Sequence, residues 1–415
     1  MYHLAITLYA FVVRLVSPFN PKAKKMLTGQ RKTFSILKEK IDKNARYIWF
    51  HAASLGEFEQ GRPLIEKIRN EKPEYKILLT FFSPSGYEIR KNYESADIVC
   101  YLPFDYLGNA RKFLRLVHPE IAVFIKYEFW MNYLNKLKDN NIPTYIISAI
   151  FRPNQIFFRW YGRHYSKVLN DFDWFFVQNE RSRQLLNHFK HNNITVCGDT
   201  RFDRVKQIAD KAERLPVIEH FIESESAEKP FILVAGSSWE QDEEILFPFF
   251  NTHPEIKLII APHEMNGNRI ANLTSRLKRT YILYSQAKEQ ETLDADCLVI
   301  DCFGLLSTIY RYGQIAYIGG GCGKGIHNIV EAAVYGIPVI FGANYVKSRE
   351  ASELIDAGGA FSVSSQAQFN EYVNSLLSYP NLLAETGEKT RDYVNTNLGA
   401  TKIIFEKIFG MSTSN

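Results

Sequence analysis

Paired cysteines are missing from this chain. Its five cysteines, Cys100, Cys197, Cys297, Cys302 and Cys322, form no C-x-x-C pair and show no zinc-ligand spacing. That removes a disulfide framework and a structural zinc site, and it fits a reducing compartment in which most cysteines are small buried hydrophobes. Also missing are the G-x-G-x-x-G of a dinucleotide fold and the G-K-[ST] ending of a P-loop. No Asp-x-Asp pair stands at a predicted strand end, so the chemistry is expected to need neither metal nor cofactor. No apolar run reaches the roughly 20 residues of a spanning helix. A signal peptide is not expected either, because no basic residue precedes the first apolar run and no small-x-small site follows it. Without a helix-turn-helix pattern or interleaved aromatic and basic residues, nucleic acid is not the expected partner.

Apolar residues make up 46% of the 415 residues and charged residues 23%, which describes a folded protein too long for one ordinary core. Two domains are expected. The charge is unevenly placed. Ten Lys and Arg but only two acids fall in residues 1–46, against +5 for the whole chain, so the remainder is net acidic. Leu4–Val13 is apolar apart from Thr7, and the basic cluster from Pro21 to Lys32 follows closely. An apolar helix plus a polybasic segment is a two-part anchor for an anionic, cytoplasmic membrane surface. The competing expectation is a helix packed on the domain, followed by a solvated linker.

From Tyr47 onward short apolar runs alternate with helical patterns. The first half offers Tyr47–Phe50, Ile77–Phe82, Ile98–Leu102, Ile121–Ile125, Thr144–Ser148, Trp174–Val177 and Thr195–Cys197 as strands. The second offers Phe231–Ala235, Lys257–Ile260, Tyr281–Tyr284, Cys297–Ile300, Ile315–Ile318, Pro338–Phe341 and Phe361–Val363. Continuous apolar strands between helices predict parallel sheets covered on both faces, and two such sets predict two doubly wound α/β domains. The polar stretch Arg204–Lys229 reads as their connection, and Glu388–Phe409 as helix that packs back. Ligands in such sheets lie beyond the carboxyl ends of strands, with the cleft between two domains the default site.

Several motifs stand at those ends. The first is HAASLGEFEQGRPLI, in which Ser54, Leu55 and Gly56 make a turn and Glu57 opens a helix. At the least Glu57 is a partner for the helix dipole; at the most it is a base that takes a proton from a sugar hydroxyl. Glu59 points elsewhere, and His51 reads as a satisfied strand histidine. KYEFWMN holds Glu128 beside Tyr127 and Trp130, which suits either sugar binding or a helix N-terminal acid. In GDTRFD, Arg201 either meets an anion or pairs with Asp199 or Asp203. VAGSSWEQDEE places Ser237 and Ser238 at a helix start, with Ser238 and Gln241 as a capping box or a phosphate cradle. IIAPHE carries His263 and Glu264, and DCFGLLSTIY carries Phe303, Gly304 and Leu305. YIGGGCGKGIHNIVEAAVYGIPVIFG reads as strand, glycine loop, helix over Ile326–Tyr335 and strand, with free amides for an anion and Glu331 placed for ribose hydroxyls.

In this order the motifs resemble the 3-deoxy-D-manno-oct-2-ulosonic acid (Kdo) transferases of lipid A biosynthesis, over nearly the whole chain. The resemblance implies a GT-B fold, an N-terminal membrane-associating helix, and four segments: 1–32 anchor, 33–205 acceptor domain, 206–387 CMP-sugar domain and 388–415 returning helix. It implies an inverting, metal-independent transfer of Kdo from CMP-Kdo to a lipid A precursor at the cytoplasmic face of the inner membrane. Glu57 matches the general base; Glu128 and Arg201 match groups that stabilise the transition state. Ser237 and Ser238, by their place at a helix start, and His263, Glu264, Phe303, Gly304, Leu305, Asn328, Ile329, Val330 and Glu331, by motif, are the CMP-binding candidates. The chain departs from the family where Lys126 replaces an acid, His263 an arginine and Arg201 a lysine; Lys324, Lys347 or Arg349 could supply the displaced cation. Other readings are a UDP-sugar epimerase, another lipid-linked glycosyltransferase, or a non-catalytic membrane-surface scaffold.

Overall fold

The computed structural model describes residues 2–223, 230–288, 292 and 294–410. The chain forms two compact units: the first runs to Arg204 and takes back the chain from Leu398, and the second is Val205–Asn397. All fourteen runs expected as strands are strands, with ends moved by at most three residues.

The first unit holds β1 (Arg46–Ala52), β2 (Tyr75–Phe81), β3 (Ile98–Tyr101), β4 (Pro119–Ile125), β5 (Thr144–Ala149), β6 (Trp174–Val177) and β7 (Ile194–Val196). They lie in the order β3-β2-β1-β4-β5-β6-β7, all parallel. Alternation along β1 sends Trp49 into one apolar cluster and Ile48 and Phe50 into another, so both faces of the sheet are covered. The second unit holds β8 (Phe231–Ser238), β9 (Ile256–Pro262), β10 (Tyr281–Leu283), β11 (Cys297–Val299), β12 (Ile315–Ile318), β13 (Val339–Gly342) and β14 (Ala360–Val363), ordered β10-β11-β9-β8-β12-β13-β14 and again parallel. Each order reverses direction once, between β1 and β4 and between β8 and β12. At such a switch point neighbouring crossovers diverge and leave a crevice at the strands' carboxyl ends.

Two helices precede β1. α1 (Tyr2–Val16) turns Ala10 and, partly, Tyr2, Ile6 and Val13 inward, while Leu4, Leu8, Phe11 and Leu15 are exposed. α2 (Pro21–Lys40) starts with Asn20, whose side chain accepts from the amides of Lys22 and Ala23, and with proline at its first position. The basic segment Pro21–Lys32 is therefore part of a helix of the first unit rather than a linker. Met26, Gln30, Thr33 and Leu37 are its buried stripe, and the Thr33 hydroxyl donates to the Tyr101 carbonyl at 2.8 Å. The polar stretch after Arg204 is also helical, over Thr200–Lys211 and Pro216–Ile222, and residues 224–229 of the expected connection lie outside the described residues. The expected C-terminal helix is two. Pro380–Thr396 belongs to the second unit; Ala400–Phe409 packs Ile404 and Phe405 into the first. Gly399, at φ +103°, breaks them apart, and Asp203 accepts from the amides of Gly399 and Thr401 at 2.7 Å each.

Candidate active site

The first unit's switch point carries Glu57 and Glu128 on its two sides. α3 (Leu55–Glu71) begins directly after β1, so Leu55 and Gly56 are already helical rather than a separate turn. Glu57 is the third residue of α3, half-buried, and accepts a hydrogen bond from the Ser54 hydroxyl. Glu59 is turned away and pairs with Arg90 at 2.8 Å and Arg204 at 3.4 Å. Glu128 follows β4 after Lys126, whose φ of +70° bends the chain out of the strand. That conformation is costly for a non-glycine residue and is maintained here by the packed strand ends.

Glu128 is nearly buried. Its Oε2 accepts from Trp130 Nε1 at 2.6 Å and from His51 Nε2 at 3.1 Å, while Oε1 takes no hydrogen bond among the described residues. His51 is fully buried and its Nδ1 lies 2.9 Å from the Thr80 hydroxyl, so it orients Glu128 instead of meeting a ligand. One carboxylate oxygen is thus fixed and the other presented. Arg201 lies against Asp199, with Nε at 2.9 Å and Nη2 at 2.8 Å; Asp199 also accepts from Gln60 Nε2 at 3.1 Å. Burial is the largest influence raising the Tyr127 phenol, and Arg152, Glu57, Arg201 and Asp199 all act on it electrostatically. These charged groups therefore gather around one tyrosine. The expected Arg201–Asp199 pair is present, and Tyr127 stands beside Glu128 as the motif suggests; sequence reading missed Arg152, which follows β5 and comes near Tyr127 only once β4 and β5 are paired.

The second unit's switch point joins the end of β8 to the glycine loop after β12. Gly319 donates to the Gly236 carbonyl at 2.9 Å, and a Cβ at Gly319 would lie 2.2 Å from the Ser237 carbonyl oxygen. Gly319→Ala therefore pushes the loop off β8. We expect a loss of roughly 1–3 kcal/mol in thermal unfolding. Two of the loop's amides, those of Gly320 and Cys322, are taken by a carboxylate of the protein itself. The fully buried Asp242 carboxylate accepts from Gly320 N–H at 2.7 Å, Trp239 N–H at 2.9 Å, the Tyr317 hydroxyl at 3.1 Å and Cys322 N–H at 3.4 Å. Asp242 also caps the helix Glu240–Phe250, so the Ser238–Gln241 capping box does not form. Ser238 instead ends β8, fully buried, and donates to Glu243 at 2.8 Å. Ser237 is held at φ +55°.

The helix expected over Ile326–Tyr335 is only Val330–Ala333. Ile326 and His327 donate across to the Asn344 and Gly319 carbonyls, which keeps them extended. The Asn328 side chain accepts from Val330 N–H at 3.2 Å and donates to Glu331 at 2.9 Å. Ile329 and Val330 are buried, while Asn328 and Glu331 are half-buried. Glu331 acts electrostatically on Tyr310, whose hydroxyl packs on Gly236, so the segment after Phe303, the end of β8 and Glu331 converge. Phe303 and Gly304 are exposed and Leu305 is half-buried; Gly304 makes the bend at φ +96°.

His263 is exposed but stacked, 4.3 Å from the His327 ring and 4.6 Å from Trp239. The Trp239 indole N–H can only donate, and it reaches His327 Nε2 at 3.1 Å, so His327 is neutral there with its proton on Nδ1. Burial first and His263 second hold the His327 imidazole below its ordinary range. Of the three displaced-cation candidates, Lys324 has its ammonium 3.7 Å from the Trp239 ring centroid, and Arg349 pairs with Glu353 at 2.6 Å. Glu264, exposed, acts on Arg269 and is not joined to this cluster by any described hydrogen bond.

Residues 28–204 match the family model described as 3-deoxy-D-manno-octulosonic-acid transferase (kdotransferase). A 3-deoxy-D-manno-octulosonic acid transferase of Aquifex aeolicus is 26% identical over 366 residues, covering 86% of this chain and 92% of that protein. One of Haemophilus influenzae is 25% identical over 373 residues, covering 86% of each. Among solved structures, a UDP-GlcNAc 2-epimerase from Neisseria meningitidis aligns with TM-score 0.61 at 16% identity, over 88% of this chain and all of that one. MurG from Acinetobacter baumannii aligns at 0.57 with 12% identity, over 88% of this chain and all of that one. The structural likenesses establish a GT-B-type fold. By these matches the chain is similar to 3-deoxy-D-manno-octulosonic acid transferases over most of its length.

Proposed function

We propose that this protein transfers Kdo from CMP-Kdo to the glucosamine hydroxyl of a lipid A precursor, in lipopolysaccharide biosynthesis. The observation that carries the reading is the pair of carboxylates at the first unit's switch point: Glu57, held by Ser54 at the start of α3, and Glu128, with one oxygen fixed and one presented. Glu57 takes the proton of the attacking hydroxyl, which opens the anomeric carbon of Kdo to direct displacement and inverts it. Glu128 meets the positive charge that develops at the anomeric carbon, and Arg201, oriented by Asp199, meets the carboxylate of the sugar. CMP leaves the second unit, where Asn328 and Glu331 are placed for the ribose and the cluster of Lys324, His263 and His327 for the phosphate. No step in this scheme calls on a metal ion.

The protein works at the cytoplasmic face of the inner membrane. Supporting this, the outward face of α1 is apolar, with Leu4 and Leu8 exposed at 73% and 60%, and the basic residues of α2 follow it. No single helix among the described residues is long and apolar enough to cross a membrane, although α1 and α2 together, bent by 117°, have the length and composition; on this reading the apolar face of α1 lies in the interface. Incubation with CMP-Kdo and a lipid A precursor, followed by mass spectrometry, tests the activity. The expected result is a product heavier by whole Kdo residues, with CMP released in equal number. Unchanged lipid with intact CMP-Kdo would remove the reading, and a UDP-sugar epimerised under the same conditions would replace it.

A further inference from the structure

The connection between β5 and β6 projects an exposed aromatic pair for which the transfer scheme has no use. Trp160 is 89% exposed and Tyr161 55%, with the rings in edge contact at 5.6 Å. Ile156 beside them is also exposed. A solvated loop gains nothing from this, because large rings in water are an aggregation liability unless something covers them. The projection is rigidly built. Phe157 is buried and stacks on Tyr165 at 5.3 Å, and the Tyr165 hydroxyl donates to the Phe129 carbonyl at 2.6 Å. A Cβ on Gly162 would lie 1.7 Å from the Ile156 carbonyl oxygen, so the turn that thrusts Trp160 outward closes as tightly as glycine allows.

Charge says what covers it. Residues 151–170 contain no Asp or Glu, but they carry Arg152, Arg159, Arg163 and Lys167, all exposed. Position says more. Tyr165 stacks face to face on Tyr2 of α1 at 5.4 Å, so this ledge and the outward apolar face of α1 stand side by side on one unit. At its root, Arg152 acts on Tyr127 together with Glu57.

We infer that the segment Arg152–Lys167 is a second lipid-contacting element. Trp160 and Tyr161 lie at headgroup depth of an anionic bilayer, and Arg159 and Arg163 meet its phosphates. This rests on the reading of α1 as an interfacial helix. It adds that the bilayer surface reaches the rim of the site that holds Glu57, so an amphiphilic acceptor presents its sugar hydroxyl without leaving the membrane.

The test uses the full-length protein with vesicles of phosphatidylcholine alone or with about one third phosphatidylglycerol, containing acyl chains brominated near the headgroup. Difference spectra against Trp160→Phe isolate the Trp160 emission, and Leu8→Trp in that background reports on α1. Quenching of both is expected. Arg159→Gln with Arg163→Gln is expected to weaken partition about 25-fold on the anionic vesicles, near fivefold per charge, and to leave phosphatidylcholine binding unchanged. Quenching at position 8 without quenching of Trp160 overturns the ledge while leaving α1 at the membrane. Quenching at neither overturns both. Self-association that Trp160→Ala abolishes, with no quenching, assigns the patch to a second copy of the chain instead.

Discussion

Glu57→Gln will bind CMP-Kdo as the unaltered protein does and will lose transfer by roughly 10²–10⁴-fold, the range set by removing a positioned general base. The amide keeps the size of the carboxylate and can still accept from the Ser54 hydroxyl, so α3 and the switch-point crevice keep their shape. What disappears is the acceptor for the hydroxyl proton. The binding measurement is the control, because the residues proposed for the donor lie in the second unit, Val205–Asn397. Glu59→Gln, two residues along the same helix, serves as the counterpart. It breaks pairs with Arg90 and Arg204 and will lower the unfolding temperature by a few degrees, with kcat close to normal. Near-normal transfer by Glu57→Gln would end the assignment of Glu57 as base.

The strands of both sheets are readable from the sequence because each is a short apolar run buried on both faces. Trp49 in one cluster and Ile48 and Phe50 in another show why that signal is strong. Glu57 and Glu128 were legible for the same reason: both follow such strands by a few residues. Loops were read less well. The glycine loop gives the pattern of an anion cradle, and an anion does occupy two of its amides, those of Gly320 and Cys322, but that anion is Asp242 of the neighbouring helix. Ser238 has the spacing of a cap, yet Asp242 is a charged acceptor one helical turn from Trp239 and takes the role. The helix expected at Ile326 fails because hydrogen bonds to Asn344 and Gly319 hold its first residues extended. Each of these outcomes is decided by a partner distant in sequence, and no local spacing encodes it. Trp239 escaped selection on the same ground, since only the fold stacks it on His263, which in turn stacks on His327.

Asp242→Ala is expected to cost roughly 3–5 kcal/mol, the range for removing one member of a buried charged network. A fully buried carboxylate with four donors on it resembles a buried charge pair, because deletion strands the partners. The amides of Trp239, Gly320 and Cys322 and the Tyr317 hydroxyl would each lose their acceptor. Leaving such a donor buried and unsatisfied costs about 1–3 kcal/mol before any relaxation. Water entering the space would recover part of that, so the effect falls below the sum of four. Set against the roughly 5–15 kcal/mol that holds an ordinary domain folded, it removes a large part of the second unit's margin. Asp242→Asn separates geometry from charge. It keeps an acceptor oxygen for Gly320 but turns an N–H₂ toward Trp239 or Tyr317, and an intermediate loss is expected. Thermal unfolding followed by calorimetry gives the stability, and CMP titration gives the function. If the glycine loop shapes the nucleotide half of the site through Asp242, both fall together in the order wild type, Asn, Ala. Full CMP affinity in an Asp242→Ala protein of lowered stability would mean that the loop carries fold alone, and that the nucleotide depends on Asn328 and Glu331 without it.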